Sequence, residues 1–189
     1  TLNLAEKAAI AGVKRFIFIS TIKVLGEQTE PGQAFRSGDS FNPQDPYSIS
    51  KAEAEVGLKL IGEAHGMEVV IIRPPLVYGK GVKGNFASLL KLARFPIPLP
   101  FGSIQNKRSL VSVENLVDLI VICLNHPNAK NQCFLVSDDD DMSTSVLFSR
   151  LAEAGGYKAY MFKFPLTILN ISLRVLGKSP IYKQLCTSM

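Results

Sequence analysis

A tyrosine and a lysine four residues apart are the side chains of this sequence that point most directly to chemistry. Tyr47 and Lys51 lie in DPYSISKAEAE, where the proline and the following pattern predict a helix from Pro46 to Gly66. Residues at i and i+4 share one helical face. An ammonium group near a phenol stabilises the phenolate, so this pair could transfer a proton near neutral pH. A solvated helix face would have the same spacing, so the pair alone does not decide between the two.

The elements before and after this helix predict where the pair lies. The stretch RFIFIS (Arg15–Ser20) has the composition of a buried parallel strand, and it ends in the hydroxyl residues Ser20 and Thr21. A second buried strand, Met67–Arg73, stops at two prolines. Ligands of open α/β sheets bind outside the carboxyl ends of the strands. The hydroxyls, the tyrosine and the lysine are therefore expected in one crevice.

The rest of the chain continues an alternation of helices and strands. The sequence predicts a helix from Leu2 that stops at Gly12, a helix in NFASLLKLARF, a short strand leading into a helix near Glu114, a strand in QCFLVSD, a helix capped by Ser143 or Thr144, a strand in KAYMFKF and an amphipathic helix from Pro165. This order is typical of an α/β protein with a parallel sheet.

Composition limits the classes of function. The chain has 189 residues, of which 47% are apolar and 20% charged, as in ordinary globular domains. Its net charge of +5 is spread along the chain, which favours an anionic small molecule such as a phosphate ester over nucleic acid. The final apolar run is interrupted by Asn170 and Arg174, so no membrane span is predicted.

The cysteines and the acidic run predict no metal site. Cys123, Cys133 and Cys186 are an odd number without metal-ligand spacing. Cys123 and Cys133 have apolar neighbours, so we expect buried free thiols and a reducing, cytoplasmic setting. The run Asp138–Asp141 is expected to be a solvated loop before a helix.

Four segments, in order, resemble the extended short-chain dehydrogenase/reductases of the NAD-dependent epimerase/dehydratase family. They are VKRFIFISTIKVLGE, DPYSISKAEAE, VVIIRPPLVYGKGVKGNF and KRSLVSVENLVDLI. The resemblance implies the second half of a Rossmann-type doubly wound parallel sheet in residues 1–78. A smaller mixed α/β region for the substrate would follow in 79–189, with some segments returning to the sheet. The family's glycine fingerprint does not occur, so we expect absent N-terminal strands and an isolated chain that binds NAD poorly and is inactive.

The resemblance also implies roles for individual residues. Tyr47 matches the tyrosine that exchanges a proton with a sugar hydroxyl, and Lys51 matches the lysine that holds the nicotinamide ribose. Thr21 matches the catalytic Ser/Thr, which contacts the reacting oxygen of the substrate. Ser20 is a neighbour that could contact the cofactor, although a hydroxyl that caps the end of a strand would look the same.

Further positions match binding segments of the family. Pro74 and Val77 lie in a loop, PPLVYG, that resembles the segment around the nicotinamide, and they could contact it through backbone groups. Asn85 matches a residue near the substrate nucleotide, and a helix N-cap is its alternative role. Arg108 matches an arginine that pairs with the substrate diphosphate, for which a guanidinium fork is well shaped.

The function that this resemblance implies is NAD- or NADP-dependent chemistry at C4 of a nucleotide-diphosphate hexose, with a UDP-sugar as the expected substrate. A 4-epimerase and a 4-keto-sugar reductase of surface-polysaccharide synthesis both fit. Leu76 stands where many epimerases have asparagine, which favours a neighbouring subfamily over UDP-glucose epimerisation itself. A catalytically inactive relative and a sterol or flavonoid reductase are the alternatives. A homodimer through the helix from Pro46 to Gly66 is expected.

Overall fold

The computed structural model describes residues 1–30, 32–82, 85–95, 97–177, 182 and 185–188, and of Asn85 only the backbone. The chain forms two compact units. The first unit comprises residues 1–27, 33–79 and 110–138, and the second comprises 28–32, 80–109 and 139–189. The assignment of cofactor binding to residues 1–78 and of substrate binding to residues 79–189 stays a prediction.

Helices and strands alternate along the chain. In order they are α1 (Leu2–Ile10), β1 (Arg15–Ile19), α2 (Pro46–His65), β2 (Glu68–Arg73), β3 (Leu76–Tyr78), α3 (Asn85–Ala93), β4 (Leu110–Ser112), α4 (Val113–Asn125), β5 (Cys133–Leu135), α5 (Thr144–Ala154) and α6 (Leu166–Val175). Short 3-10 helices cover Ile22–Val24 and Pro127–Ala129. None of the helices in these described ranges has the length and apolar character needed to cross a membrane.

The first unit is built on parallel strands. Its main sheet has the order β1-β2-β5, and β3 pairs with β4 in a second ladder. All of these pairings are parallel, and the β1–β2 register runs from Arg15 opposite Glu68 to Ile19 opposite Ile72. The predicted α/β fold with a parallel sheet is therefore confirmed.

Side chains of β2 alternate between two apolar cores. Val69 and Ile71 pack with Leu58 of α2 and Ala5 of α1, whereas Val70 and Ile72 join a cluster that includes residues of α4. A strand that points successive side chains to opposite faces produces this division. Burial of each large aliphatic side chain stabilises the fold by about 1.5–3 kcal/mol. The sheet is thus covered by helices on both faces, which leaves its carboxyl edge as the place for a ligand.

Helix α2 begins and ends where the sequence predicts. The Asp45 carboxylate accepts a hydrogen bond from the Ser48 N–H at 2.7 Å, and the Ser48 hydroxyl accepts one from the Asp45 N–H at 3.2 Å. This capping box and Pro46 in the first turn define the start of the helix. Gly66 ends it in the left-handed conformation, with φ of 67°.

The second unit is mainly helical in its described part. Its core joins α3 and α5 through a cluster that includes Ala93, Ile104 and Ala152. In the same cluster Phe101 and Phe148 meet edge to face, with ring centroids 5.7 Å apart. Isolated bridges connect Leu99 with Met161 and Arg108 with Met142.

Three sequence predictions differ from the structure. The segment PPLVYG was expected to be a loop, but Leu76–Tyr78 forms β3 because β4, distant in sequence, supplies its partner. The segment KAYMFKF was expected to be a strand, but Met161 alone forms a bridge there. Cys133 is half-buried rather than buried, because the short strand β5 pairs on one side with β2.

Candidate functional site

The hydroxyl residues Ser20 and Thr21 lie at the carboxyl end of β1. The Ser20 N–H donates to the Ile72 carbonyl at 2.7 Å, which continues the β1–β2 pairing by one residue. Thr21 has extended backbone, and its Oγ1 accepts a hydrogen bond from the Lys23 N–H at 3.3 Å. Both side chains are buried, with 3% of Ser20 and 9% of Thr21 exposed.

The Ser20 hydroxyl has no hydrogen-bond partner within the described part of the chain. Leaving a buried polar group unsatisfied costs about 1–3 kcal/mol, so such groups call for an explanation. A strand-end hydroxyl that capped the backbone would have a partner here. The orphaned Oγ therefore keeps an unused donor and acceptor at the carboxyl end of β1.

Lys51 reaches from α2 to the end of the same strand. Its Nζ donates to the Ile19 carbonyl at 2.7 Å and lies 4.6 Å from the centroid of the Phe18 ring, over its face. Burial lowers the pKa of the Lys51 ammonium, and the charge of Glu55 acts in the opposite direction. The carbonyl dipole and the aromatic face both favour the cation. Lys51 is thus a fixed positive charge beside Ser20 and Thr21.

Tyr47 shares the helical face of Lys51 and is open to solvent. The Lys51 Nζ lies 5.9 Å from the centroid of the Tyr47 ring, and 55% of Tyr47 is exposed. No described residue forms a hydrogen bond with its hydroxyl. The structure therefore brings Thr21, Lys51 and Tyr47 to one edge of the first unit and leaves the phenol accessible to another molecule.

The two residues predicted to contact the nicotinamide through backbone groups have partners in the fold. Pro74 has no N–H, and its carbonyl accepts a hydrogen bond from the Ile22 N–H at 3.0 Å. Val77 is half-buried in β3 opposite Val111 of β4. A ligand at Pro74 would have to use the second lone pair of its carbonyl.

Arg108 lies in the second unit, between the bridge to Met142 and the segment 185–188. Its backbone exchanges hydrogen bonds with Met142 at 3.0 and 3.1 Å, and its Nε donates to the Thr187 carbonyl at 3.4 Å. Burial lowers the pKa of the guanidinium, with the charge of Cys186 acting against that change, and an arginine stays protonated under such conditions. Among the described residues, no carboxylate lies within 4 Å of it. Within the described part of the chain, the charge of this guanidinium is therefore not neutralised by a carboxylate.

Asn85, the other predicted substrate ligand, begins α3. Its side chain lies outside the described residues, so its predicted contact with the nucleotide stays a prediction.

The chain is similar to known proteins over most of its length. The profile of the NAD dependent epimerase/dehydratase family matches residues 1–136. The chain belongs to this family. A UDP-glucose 4-epimerase from Vibrio cholerae is 53% identical over 186 residues, which cover 98% of this chain and 57% of that protein.

Solved structures of epimerases have the same fold. A UDP-glucose 4-epimerase from Thermotoga maritima, solved with UDP-glucose, is 26% identical with a TM-score of 0.69, over 87% of this chain and 55% of that one. A UDP-glucuronic acid 4-epimerase from Bacillus cereus, solved with NAD, has a TM-score of 0.72 at 22% identity, over 86% of this chain and 54% of that one. The chain thus spans a little over half the length of these proteins.

Sequence reasoning missed a buried ion pair next to the family's tyrosine and lysine. Glu55 of α2 and Arg73 at the end of β2 pair with side-chain exposures of 0% and 3%. One signal was present in the sequence, because Glu55 continues the series of Tyr47 and Lys51 at i+8 on the same helical face. Its partner could be found only from the fold.

Aspartates of the acidic run Asp138–Asp141 form hydrogen bonds and an ion pair with other residues of the chain. Asp138 accepts hydrogen bonds from the Tyr78 hydroxyl, the Ser112 N–H and the Asn115 amide at 2.8–2.9 Å. Asp140 pairs with Arg150. In the part of the chain that the structure describes, no three His, Cys, Asp or Glu residues are grouped as metal ligands would be.

Proposed function

We propose that the protein containing this chain acts at C4 of a nucleotide-diphosphate hexose, as a 4-epimerase or a 4-keto-sugar reductase, with NAD or NADP. The observation that carries the proposal is the placement of Thr21, Lys51 and an accessible Tyr47 together at the carboxyl edge of the parallel sheet. Membership of the family and 53% identity to a protein named UDP-glucose 4-epimerase support it.

The residues at this edge fit a nicotinamide nucleotide. The orphaned Ser20 Oγ offers a donor and an acceptor to a ribose hydroxyl or a carboxamide. Beside it, the Lys51 ammonium uses one donor on the Ile19 carbonyl and has two left for a ribose. When bound there, a nicotinamide would supply the redox chemistry, as acceptor and donor of the C4 hydride.

The proton transfers belong to the side chains of this chain. Tyr47, as phenolate, takes the proton of the C4 hydroxyl while the C4–H leaves as hydride and the carbon becomes a ketone. The Lys51 ammonium lies 5.9 Å from the centroid of the Tyr47 ring, close to the group that exchanges the proton. Thr21 Oγ1 orients the reacting oxygen by a hydrogen bond. Reduction of the ketone reverses each step, and Tyr47 then returns the proton to oxygen.

The substrate class follows from Arg108. A half-buried guanidinium without a carboxylate partner among the described residues suits a diphosphate and is not required by a sterol or a flavonoid. Arg108→Gln should raise the KM for a UDP-hexose by about tenfold or more, because a charge-assisted contact is lost. Lys107→Gln, one residue away and exposed, is the matched control and should leave KM within about twofold.

The test is a screen of UDP-hexoses and UDP-4-keto-hexoses with the full-length gene product. Product sugars are identified by NMR, and the absorbance of NAD(P)H is followed in parallel. Interconversion of C4 epimers without net change of NAD(P)H identifies an epimerase, and net loss of NAD(P)H identifies a keto-reductase. Absence of turnover with every nucleotide sugar, while the protein is folded, would overturn the proposal.

We also propose a homodimer and a reducing compartment. The outer face of α2 exposes Ile49, Val56 and Leu60 at i, i+7 and i+11, an apolar stripe of the kind that helix pairs bury.

All three cysteines are free. Burial raises the pKa of the thiols of Cys123 and Cys133, which keeps them in the unreactive thiol form. A cytoplasmic location is consistent with the free state of the cysteines and with the raised pKa of their thiols.

A further inference from the structure

The ion pair between Glu55 and Arg73 is the most deeply buried charge pair among the described residues. Arg73 Nε donates to the two oxygens of Glu55 at 3.0 and 3.2 Å, and Nη2 donates to Oε2 at 2.6 Å. Such forked contacts are the strongest arginine–carboxylate geometry. Even so, desolvation of two charges costs several kcal/mol, and apolar residues often stabilise a fold equally well. Stability alone therefore does not account for the pair.

The position of Glu55 on α2 places the ion pair one helical turn from Lys51. Tyr47, Lys51 and Glu55 follow one another at intervals of four residues, so Glu55 lies one turn beyond Lys51 on the same face. A lysine and a glutamate at this spacing are close enough to form an ion pair, with the order lysine before glutamate the weaker of the two. Burial lowers the pKa of Lys51, and the charge of Glu55 acts to raise it, so the two groups interact in the folded protein.

Lys51 nevertheless forms no ion pair with Glu55 among the described contacts. Its Nζ donates to the Ile19 carbonyl at 2.7 Å, at the end of β1 and on the side of Thr21. The Glu55 oxygens are already engaged by Arg73. With Arg73 removed, the uncompensated buried carboxylate would attract a neighbouring cation, and the charge of Glu55 already acts on Lys51.

Arg73 also holds the segment that leads into α2. Its Nη1 donates to the Ser37 carbonyl at 3.0 Å, and its Cζ lies 5.2 Å from the centroid of the Phe41 ring. Both residues precede the N-cap of α2 by a few positions. One guanidinium therefore fixes the approach to the helix and occupies the carboxylate on its inner face.

We propose that Arg73 is a positioning residue, which engages Glu55 so that the Lys51 ammonium stays at the Ile19 carbonyl beside Tyr47. The inference rests on the proposed function, because it assigns to Lys51 the task of supporting Tyr47 during proton transfer. It predicts that removal of Arg73 alone lowers activity, because Glu55 then competes for Lys51. Removal of both residues together should have little effect on activity.

The experiment compares Arg73→Gln with the double variant Glu55→Gln/Arg73→Gln in the full-length protein. Arg73→Gln should lower kcat by about tenfold or more, since a small displacement of a catalytic group is costly. The double variant should recover to within about threefold of wild type, because the competing carboxylate is gone. A double variant no more active than Arg73→Gln would overturn the inference. If Arg73→Gln does not fold, Arg73→Lys replaces it; the new ammonium still compensates Glu55, so kcat should stay within about threefold of wild type, and a loss of tenfold or more would overturn the inference.

A matched control lies at the opposite end of the same two strands. Arg15 and Glu68 are register partners of β1 and β2 and form an ion pair at 2.7 Å. Arg15→Gln/Glu68→Gln should change stability without a change in kcat. A loss of kcat here as large as in Arg73→Gln would show a general structural effect and overturn the positioning role.

A second readout does not depend on turnover. Competitive acetylation of lysine amines, followed by peptide mass spectrometry, measures the reactivity of Lys51 in each variant. Pairing with Glu55 should make Lys51 several-fold less reactive in Arg73→Gln, and the double variant should restore it. Unchanged reactivity in Arg73→Gln would overturn the inference even in an active enzyme. A wild-type protein without turnover, but with this pattern of reactivity, would instead overturn the proposed function alone.

Discussion

At the scale of single residues, Tyr47 and Lys51 differ in a way that matches two different tasks. Lys51 is half-buried and has a protein acceptor for its ammonium, so its charge is part of the folded structure. Tyr47 is exposed and has no described partner for its hydroxyl, so its contacts are left to a ligand. A group that exchanges a proton with a substrate needs this accessibility, whereas a group that tunes it needs to be fixed.

Tyr47→Phe should remove activity and leave the fold unchanged. The phenol hydroxyl is the proton acceptor in the proposed reaction, and loss of general base catalysis lowers rates by about 10²–10⁴-fold. The exposed ring loses no protein hydrogen bond, so the free energy of unfolding should change by less than about 0.5 kcal/mol. Steady-state kinetics and urea unfolding measure the two effects.

Tyr160→Phe is the control for this substitution, because Tyr160 is exposed to a similar extent, 50%. It should retain wild-type kcat. A Tyr47→Phe variant with near-normal kcat would show that another group carries the proton.

Sequence reasoning at this scale singled out Tyr47, Lys51 and Thr21, because their spacing and flanking motifs are local, and their roles stay predictions. It did not find Glu55 with Arg73, since a glutamate on a helix looks like a solvated residue until the opposing strand is placed. It also did not reveal that the Pro74 carbonyl has a partner in Ile22. Such contacts depend on the register of β1 against β2, which no single segment encodes.

At the scale of elements, α2 packs against β2 through a glycine. A Cβ on Gly62 would lie 2.7 Å from the Met67 carbonyl oxygen and 2.8 Å from Val69 Cγ2. Gly62→Ala should therefore destabilise the protein by about 1–3 kcal/mol, although alanine in a helix is normally the more stable residue. Urea denaturation at neutral pH measures the change.

Gly57→Ala in the same helix is the control. There the added Cβ would meet the end of the flexible Leu2 side chain, which can move. We expect a neutral or slightly stabilising effect. Equal destabilisation by both substitutions would contradict the close approach of α2 and β2 at Gly62.

Asp138 links β3 to the β4–α4 connection and should make stability depend on pH. Burial opposes its ionisation, but hydrogen bonds from Asn115, Tyr78 and Ser112 outweigh that effect and hold the pKa of the carboxyl below its ordinary value. Its stabilisation is therefore complete above the ordinary pKa of about 3.9 and is lost as the pH falls through the lowered value.

Asp138→Ala should lower the free energy of unfolding by about 1–3 kcal/mol at pH 7. The difference in free energy of unfolding between the variant and wild type should become smaller in acid. Urea unfolding of both proteins at neutral pH and near the lowered pKa tests this. Asp118→Ala on the exposed face of α4 should show no such change with pH. A gap that stays constant in acid would refute the charged hydrogen-bonded role of Asp138.

The elements predicted best from sequence are those whose ends are defined locally. The limits of α2 follow from Asp45, Pro46 and Gly66, each of which acts on its immediate neighbours. Strand β3 was missed because three apolar residues after two prolines carry little local signal. Its existence depends on Leu110–Ser112, and the partner of a strand is a non-local property.

At the scale of the whole molecule, the charges that are spread along the chain sum to different totals in the two units. Most lysines and arginines belong to the second unit, and most aspartates and glutamates belong to the first. The unit that contains Arg108 is therefore the basic one. A positive unit would attract the proposed anionic substrate before any specific contact forms, and such attraction weakens with salt.

The proposed homodimer is a property of the whole molecule. Leu60 is 61% exposed on the outer face of α2, between the more weakly exposed Val56 and the end of the helix. A carboxylate buried in a helix-pair interface is strongly unfavourable. Leu60→Asp should weaken the dimer by about 100-fold or more, measured by analytical ultracentrifugation of the full-length protein.

The matched substitution is Val121→Asp on α4, where the side chain is 56% exposed but lies on another helix. It should leave the dimer intact, because the proposed contact is specific to α2. A wild-type protein that is monomeric at micromolar concentration would contradict the dimer. If Val121→Asp dissociated the dimer and Leu60→Asp did not, the interface would lie on α4 instead. Because Tyr47 and Lys51 lie on the same helix as Leu60, kcat measured on the dissociated variant also shows whether the proton-transfer face depends on assembly.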